Sequence, residues 1–154
     1  MAAIVHINQA GIENVETIIP LFAAYRRFYN LESDPIALRN YLNERLTNHQ
    51  CVIFLAFFDN IAVGFTELYP GFSSLSLRNR WPLNDLFVAR EARGLSVGLQ
   101  LMDRAKQLAE ETGACEIMLQ TAADNMTAQG LYEKLGYQRD NDFYVYTLAL
   151  GEVS

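Results

Sequence analysis

Residues 83–98 read Leu-Asn-Asp-Leu-Phe-Val-Ala-Arg-Glu-Ala-Arg-Gly-Leu-Ser-Val-Gly, and this stretch decides the fold. An apolar, strand-like run, Leu83–Val88, is followed by a turn of small residues that opens directly into a helical pattern. The run is too apolar for an exposed edge, which favours a central strand. A helix start presents unpaired backbone N–H groups at the positive end of its dipole. The junction therefore predicts a phosphate-binding site.

The patterns on either side predict a mixed α/β domain with an antiparallel first half and a crossover in the middle. Apolar residues at helical spacing mark the helices, and runs of β-branched and aromatic residues mark the strands. The predicted elements are a strand at Ile4–Ile7, a helix at Val15–Phe28 that Pro20 kinks or shortens, a helix after Asp34-Pro35, a hairpin of Cys51–Phe58 and Ile61–Tyr69, a strand at Trp81–Val88, a helix from Val97 to Gly113, a strand at Glu116–Thr121, a helix at Asn125–Leu135, and final strands at Tyr137 and Tyr144–Leu150.

Length and composition narrow the class of protein. A chain of 154 residues with 51% apolar residues predicts one domain, residues 1–154, with a sizeable core. The 12 basic and 18 acidic residues give a net charge of -6, which disfavours nucleic acid and anionic membranes as partners. This charge favours cationic partners, or it serves solubility alone. Two cysteines and two histidines offer little for a metal site, so no metal is expected.

The sequence also predicts a cytoplasmic protein. Its first residues lack a basic segment followed by an apolar core, and no apolar run approaches the roughly 18 residues of a membrane span.

Two segments together resemble a known family. Arg93-Gly-Leu-Ser-Val-Gly98 resembles the pyrophosphate loop of the GCN5-related N-acetyltransferases, usually Arg/Gln-x-x-Gly-x-Gly/Ala. Asn125-Met-Thr-Ala-Gln-Gly-Leu-Tyr-Glu-Lys-Leu-Gly-Tyr137 resembles the family segment Asn-x-x-Ala-x-x-Leu-Tyr-x-x-x-Gly-Phe/Tyr. Either motif alone is weak, but both occur here, each opening a helix after a strand. The resemblance implies a centrally splayed sheet of about seven strands flanked by about four helices, and a homodimer.

Within the family, Leu83–Val88 and Val63–Tyr69 look most similar to the branch that acts on polyamines, thialysine and histone-like basic substrates. Two positions depart from the family pattern. Asn84 stands where the polyamine enzymes commonly have glutamate, so the role of that glutamate as a base does not carry over. Ser96 stands where the loop usually has its first glycine, and serine fits if its φ stays negative. Its hydroxyl could then cap the helix or donate to phosphate.

The resemblance implies a site for acetyl-coenzyme A. The amides of the loop would bind the pyrophosphate, and the backbone of the preceding strand would pair with the pantetheine arm and polarise the thioester carbonyl. Asn125, at the predicted N-cap, would both cap its helix and contact the coenzyme. The predicted coenzyme-binding residues are Leu86, Phe87, Val88, Arg93, Gly94, Leu95, Ser96, Val97, Gly98, Asn125 and Tyr132.

Three residues are candidates for proton transfer. Tyr132 is the candidate general acid, because a phenol can protonate a departing coenzyme A thiolate. A primary amine arrives protonated at neutral pH, so a carboxylate or a water chain must accept a proton before attack. Glu67 and Asp85, on adjacent predicted strands, are the candidate acceptors. Tyr132 could instead be a packing residue of its helix, and either carboxylate could anchor a substrate ammonium or be a paired surface group.

Aromatic residues near the predicted cleft could bind an aliphatic cation through apolar contact and cation–π attraction. Packing between helix and sheet is the expectation for Phe28, whereas both roles are open for Tyr29 and Tyr69. The predicted substrate-binding residues are Tyr25, Tyr29, Glu67, Tyr69 and Asp85.

Together these features predict an N-acetyltransferase that moves an acetyl group from acetyl-coenzyme A to a small cationic amine or a basic peptide by direct attack in a ternary complex. The alternative is a non-catalytic acyl-coenzyme A-binding regulatory module. A dinucleotide-binding domain is disfavoured, since the chain lacks Gly-x-Gly-x-x-Gly at the start of a βαβ unit.

Overall fold

A computed structural model describes residues 4–151, and within them six strands and four helices. Two single 3-10 turns, Ile12–Asn14 and Arg90–Ala92, precede the first and third helices. Residues up to 120 and residues from 121 form separate compact units. The elements are β1 (Val5–Gln9), α1 (Val15–Phe28), α2 (Pro35–Thr47), β2 (Val52–Phe58), β3 (Ile61–Leu68), β4 (Gly71–Ser73), β5 (Arg78–Val88), α3 (Val97–Glu111), β6 (Ile117–Met118) and α4 (Met126–Lys134).

The sheet lies in the first unit. Its strand order is β1-β2-β3-β5-β4 with antiparallel pairing throughout, and β6 pairs with β5 in parallel. Strands therefore pair with β5 on both of its edges, as predicted for a central strand. The β5–β6 pairing extends over two positions only, Trp81↔Ile117 and Pro82↔Met118. Beyond these two positions, and within residues 4–120, the edge of β5 that points away from β3 has no strand partner. This gap is the central splay that the family resemblance implied.

The helices of the first unit begin and end for local reasons. The Asp34 carboxylate accepts a hydrogen bond from the Ile36 amide at 3.0 Å, and Pro35 occupies the first turn of α2, where no amide is needed. Pro20 lies inside α1, which is assigned as helix from end to end. Pro20 therefore does not shorten the helix. Proline has no amide hydrogen, so Pro20 cannot donate to the carbonyl four residues earlier. This one lost hydrogen bond falls in the first turns of α1.

The helices cover both faces of the sheet. The ring of Phe65 on β3 stacks on Phe22 of α1 at 5.3 Å. A Cβ on the preceding residue, Gly64, would contact Val97 and Leu101 of α3. Successive side chains of a strand point to opposite faces, so α1 and α3 pack on opposite faces of the sheet.

Substitution of Gly64 by alanine should destabilise the protein by roughly 2 kcal/mol. The new Cβ would lie 2.8 Å from the Phe87 carbonyl oxygen, a backbone atom that cannot turn aside. Denaturant unfolding would measure the change, with Gly71→Ala as the control, because a Cβ there meets only ordinary contacts of 3.4 Å. A free energy of unfolding for Gly64→Ala equal to that of the control would contradict this close approach.

The strand predictions need three corrections. The serine-rich segment between Tyr69 and Trp81, for which no strand was predicted, contains β4 and the start of β5. The strand predicted at Glu116–Thr121 covers only Ile117–Met118. The final strands predicted at Tyr137 and at Tyr144–Leu150 do not form in the described residues. The alternation of apolar residues in Tyr144–Leu150 shows only that this segment is suited to a strand. Among the described residues, no neighbouring strand pairs with it.

Candidate active site

The turn between β5 and α3 has the geometry of an anion site. Gly94 has a left-handed backbone, with φ of 86°. The first backbone bond of the helix runs from the Gln100 amide to the Ser96 carbonyl at 3.1 Å. The amides of Val97, Gly98 and Leu99 precede that bond and lack helical partners, so they form the positive end of α3.

Ser96 does not have the negative φ that was expected of it. Its φ is 62° and its ψ is 23°, which is the left-handed conformation that glycine adopts without strain. Its hydroxyl makes no capping hydrogen bond to α3. The loop therefore holds a serine in a backbone conformation that residues with side chains disfavour. The strain lowers the free energy of unfolding by about 1 kcal/mol.

Replacement of Ser96 by glycine should raise the free energy of unfolding by roughly 1 kcal/mol, since glycine adopts a positive φ without strain. Denaturant titration would measure the change. Ser76→Gly is the matched control, because Ser76 is an exposed turn residue without a positive φ and should lose stability through backbone entropy. Equal destabilisation of both variants would show that Ser96 is not strained.

The open edge of β5 exposes backbone polar groups beside this turn. The Ala89 amide donates to the Val63 carbonyl at 2.7 Å, across the β3–β5 pairing. Backbone groups alternate in direction along a strand, so the amides and carbonyls of Leu86 and Val88 point away from β3. The Val88 carbonyl accepts from Arg93 Nε at 3.2 Å. Of the three predicted coenzyme-binding residues on β5, Leu86 and Val88 therefore present backbone groups at this edge, whereas those of Phe87 face β3.

A carboxyl pair lies beneath α1 and α2. Glu67 on β3 is directly opposite Asp85 on β5, and the register then shifts so that Leu68 faces Leu83 and Asn84 is unpaired. Glu67 is fully buried and Asp85 is 6% exposed. The Asn84 amide, itself exposed, donates to Asp85 Oδ2 at 3.1 Å. The structure thus brings together the two carboxylates that the sequence proposed as proton acceptors.

The buried setting of the pair raises the pKa of Glu67. Burial above all, and then the neighbouring Asp85 carboxyl, raise the pKa of Glu67 to about 8, although the Tyr69 hydroxyl opposes this rise. Glu67 Oε2 is buried without a hydrogen-bond partner in the structure. A buried carboxyl with a raised pKa and an unused oxygen has the properties of a proton acceptor.

Two side chains near this pair, Tyr41 and Cys51, were missed by the sequence analysis. The Tyr69 hydroxyl donates to Glu67 Oε1 at 2.7 Å and lies 2.8 Å from the hydroxyl of Tyr41 on α2. Cys51 is buried next to Glu67, and burial, followed by the charge of Glu67, raises the pKa of its thiol to about 12. Nothing in the sequence links Tyr41 to Glu67, because only the packing of α2 against the sheet brings them together.

The predicted aromatic residues of α1 differ in burial and in the groups that they contact. Tyr25 is half-buried, its ring contacts Tyr29 at 5.3 Å and Phe87 at 6.0 Å, and burial, followed by the nearby Asp85, raises its pKa well above the ordinary value. Phe28 was expected to pack against the sheet, but it is 59% exposed. Its ring contacts Tyr29 instead, at 5.2 Å. Of the aromatic residues of α1 in this set, Tyr25 is therefore the one that interacts with Asp85.

The second unit carries the other two predicted residues. The Asn125 side chain accepts from the Ala128 amide at 3.1 Å and caps α4, as predicted. Tyr132 lies in the second turn of α4 and its ring is 6.0 Å from that of Tyr137. Gly136, with φ of 94°, ends the helix, and the Tyr137 amide then bonds the Tyr132 carbonyl at 2.9 Å.

Residues 4–151 contain neither a metal-binding cluster nor a membrane-spanning helix. No group of three or more His, Cys, Asp and Glu side chains is arranged to hold a metal ion. No helix among the described residues is both long and apolar enough to cross a membrane.

Comparison with known proteins agrees with this geometry. The sequence profile of the acetyltransferase (GNAT) family matches residues 16–137. The uncharacterized N-acetyltransferase YhfO of Bacillus subtilis is 42% identical over 93% of this chain and 96% of its own. The crystal structure of a probable acetyltransferase superimposes with a TM-score of 0.90 at 43% identity, covering 96% of this chain and 99% of that one. An aminoglycoside N-acetyltransferase in complex with CoA, 19% identical and covering 97% and 98% of the two chains, shares the fold with a TM-score of 0.81.

Proposed function

We propose that this chain acetylates a primary amine of a small cationic metabolite or a basic peptide. The chain belongs to the acetyltransferase (GNAT) family and is an acetyl-coenzyme A-dependent N-acetyltransferase. The observation that carries the proposal is the Glu67–Asp85 pair. Two carboxyls directly opposite each other in a buried setting favour a cationic partner, since a cation relieves the repulsion that arises when both ionise.

The residues at the start of α3 fit the diphosphate of the coenzyme. Three unpaired amides at a helix start and the glycine turn before them suit a doubly charged anion. The open edge of β5 offers the Leu86 and Val88 backbone groups to an extended amide chain such as the pantetheine arm. When bound, acetyl-coenzyme A supplies an activated acetyl thioester.

The chemistry of this chain's residues would then be proton transfer and orientation. A protonated amine near Asp85 loses its proton to the carboxyl pair and becomes a nucleophile. Tyr25, beside Asp85, is the aromatic residue best placed to contact the aliphatic part of that amine. Tyr132 would donate the proton that the departing thiolate requires. None of these groups is assigned a covalent acetyl intermediate, so the mechanism that we propose is direct attack in a ternary complex.

Turnover with amines of different classes tests the proposal. Release of free thiol from acetyl-coenzyme A would be followed with spermidine, thialysine, an aminoglycoside and a histone-tail peptide, and mass spectrometry would identify the acetylated product. At least one cationic amine should react, and initial velocities should give intersecting rather than parallel double-reciprocal lines. Saturable binding of acetyl-coenzyme A without turnover of any amine would contradict the proposal and favour a binding module.

The polyamine, thialysine and histone-like branch and the homodimer rest on the family resemblance. Preference for spermidine or thialysine over the aminoglycoside in the same panel would support the branch. Light scattering after gel filtration would measure the oligomeric state.

A further inference from the structure

The carboxyl pair is connected to the protein surface by a short chain of hydroxyls. Tyr69 donates to Glu67 Oε1 at 2.7 Å, and the Tyr69 and Tyr41 hydroxyl oxygens are 2.8 Å apart. Glu67 is fully buried, Tyr69 is half-buried and Tyr41 is 39% exposed. The three groups therefore form a continuous hydrogen-bonded path from the interior of the first unit to its surface.

The proposed reaction leaves a proton that must go somewhere. Each turnover takes one proton from the ammonium group of the acceptor, and a carboxyl pair that keeps it cannot accept the next one. Glu67 has no direct exit, because its side chain has no contact with water. A path out is therefore part of any mechanism that uses this pair.

We propose that Tyr69 and Tyr41 relay protons between the Glu67–Asp85 pair and the solvent, which rests on the proposed function of that pair as proton acceptor. Neither phenol touches the acceptor amine, and both act through Glu67.

The steps of the relay balance. With the Tyr69 hydroxyl turned to donate to Tyr41, the proton on Glu67 Oε1 passes to the Tyr69 oxygen, the Tyr69 proton passes to the Tyr41 oxygen, and the Tyr41 proton passes to water or to buffer. This transfer leaves Tyr69 donating to the ionised Glu67 Oε1, as in the structure. Each phenol gains one proton and loses one, so no phenolate is left behind. Rotation of the two hydroxyls then restores the original direction of the bonds, because a phenol oxygen both accepts and donates.

The surroundings of Tyr69 favour its neutral form. Burial, followed by the hydrogen bonds to Tyr41 and Glu67, raises the pKa of Tyr69 well above its ordinary value. The relay therefore works by exchange of protons between neutral hydroxyls and a carboxyl rather than by storing charge on Tyr69. The titratable and charged groups around Glu67 are Tyr69 directly after β3, Asp85 on β5, Cys51 before β2, Tyr41 and Arg45 on α2, and Tyr25 of α1 beside Asp85.

Substitution of Tyr41 by phenylalanine interrupts the path at its outer end without removing the ring. The ring packs against Phe22 at 6.4 Å and beneath the Arg45 guanidinium at 5.0 Å, and phenylalanine can keep both contacts. In steady-state measurements at low buffer concentration, with the fastest amine of the panel, we expect turnover to slow about tenfold, because the pair must lose its proton before each new cycle. A high concentration of a small buffer such as imidazole should restore most of the rate, which a structural defect would not allow.

Two further variants sharpen the test. Tyr69→Phe should slow transfer at least as much, and the double variant should be no slower than Tyr69→Phe alone, because two breaks in one series path do not add. Tyr146→Phe, on an exposed tyrosine in the second unit, is the control that should not change the rate.

An infrared titration of the Glu67 carboxyl gives a readout that needs no turnover. Loss of the Tyr69 hydrogen bond should raise the pKa of Glu67 further, since this bond favours the ionised form, whereas Tyr41→Phe should change it little. An unchanged rate for Tyr41→Phe at every buffer concentration, in an enzyme whose wild type acetylates amines, overturns the relay and leaves the proposed function standing. A wild type without turnover overturns the function itself.

Discussion

Glu67→Gln should slow acetyl transfer by about 10²-fold at pH 8, which is typical for loss of a group that accepts a proton. Glutamine has nearly the shape of glutamate and remains neutral, so it fits the buried position while it cannot take up a proton. The effect should appear in the single-turnover rate constant rather than in the binding of acetyl-coenzyme A. Glu16→Gln is the matched control, because Glu16 is an exposed carboxylate that pairs with Arg39 on the surface.

The pH dependence of the same variant follows from the raised pKa of Glu67. Below about pH 8 the carboxyl is mostly protonated and cannot accept a proton, so activity should rise with pH through that region. Glu67→Gln should lack this rise. If the variant keeps the wild-type rate and the wild-type profile, Glu67 is not the acceptor, and Asp85→Asn then shows whether Asp85 acts alone.

The raised pKa of Glu67 should also make the free energy of unfolding depend on pH, and this free energy should fall where activity rises. The native state binds the Glu67 proton more tightly than the unfolded chain does, since the pKa is raised from 4.5 to about 8 on folding. Between these two values the native state holds more protons, so the free energy of unfolding falls as pH rises, by an amount on the order of a few kcal/mol. Denaturant titrations across this window should show the decline in the wild type and much less of it in Glu67→Gln.

The parts of the fold that the sequence predicts correctly are those with strong local signals. The helix from Val97 shows the 3.6-residue period of a helix packed on one face. Its apolar residues at that spacing are all buried, namely Val97, Leu101, Ala105 and Leu108. The hairpin at Asp59-Asn60 uses two residues with positive φ, which such turns require. The pairing of Glu67 with Asp85 followed from adjacent strands, and the register places them opposite each other.

The features that sequence reasoning missed depend on tertiary context. The backbone of Ser96 follows the left-handed path that its loop imposes, although a serine on its own avoids it. The contact of Tyr41 with Tyr69 joins residues 28 positions apart and arises from packing of α2 on the sheet. Phe28 has the spacing of a buried residue in α1, but it lies in the last turn, beyond the sheet contacts of the helix. None of these has a periodicity or a motif that a single sequence reveals.

Tyr132→Phe should slow acetyl transfer by about 10²-fold or more while the affinity for acetyl-coenzyme A changes little. The substitution removes one hydroxyl and keeps the ring beside Tyr137, so α4 should form with its Asn125 cap intact. An acid acts as the thioester bond breaks, so its loss lowers the rate constant of transfer and leaves ground-state binding nearly unchanged. Single-turnover kinetics and calorimetric binding of acetyl-coenzyme A would separate the two quantities.

Tyr137→Phe is the matched control for this prediction. It removes a hydroxyl from the ring next to Tyr132, in the same unit, and leaves the candidate acid in place. A loss of affinity in Tyr132→Phe without a loss in rate would mean that the hydroxyl holds the coenzyme rather than protonating the thiolate. Equal losses of rate in both variants would point to packing around α4. A leaving group that needs no proton, such as an activated aryl thioester, should restore the rate of Tyr132→Phe only if the phenol is the acid, because a stabilised thiolate departs without protonation.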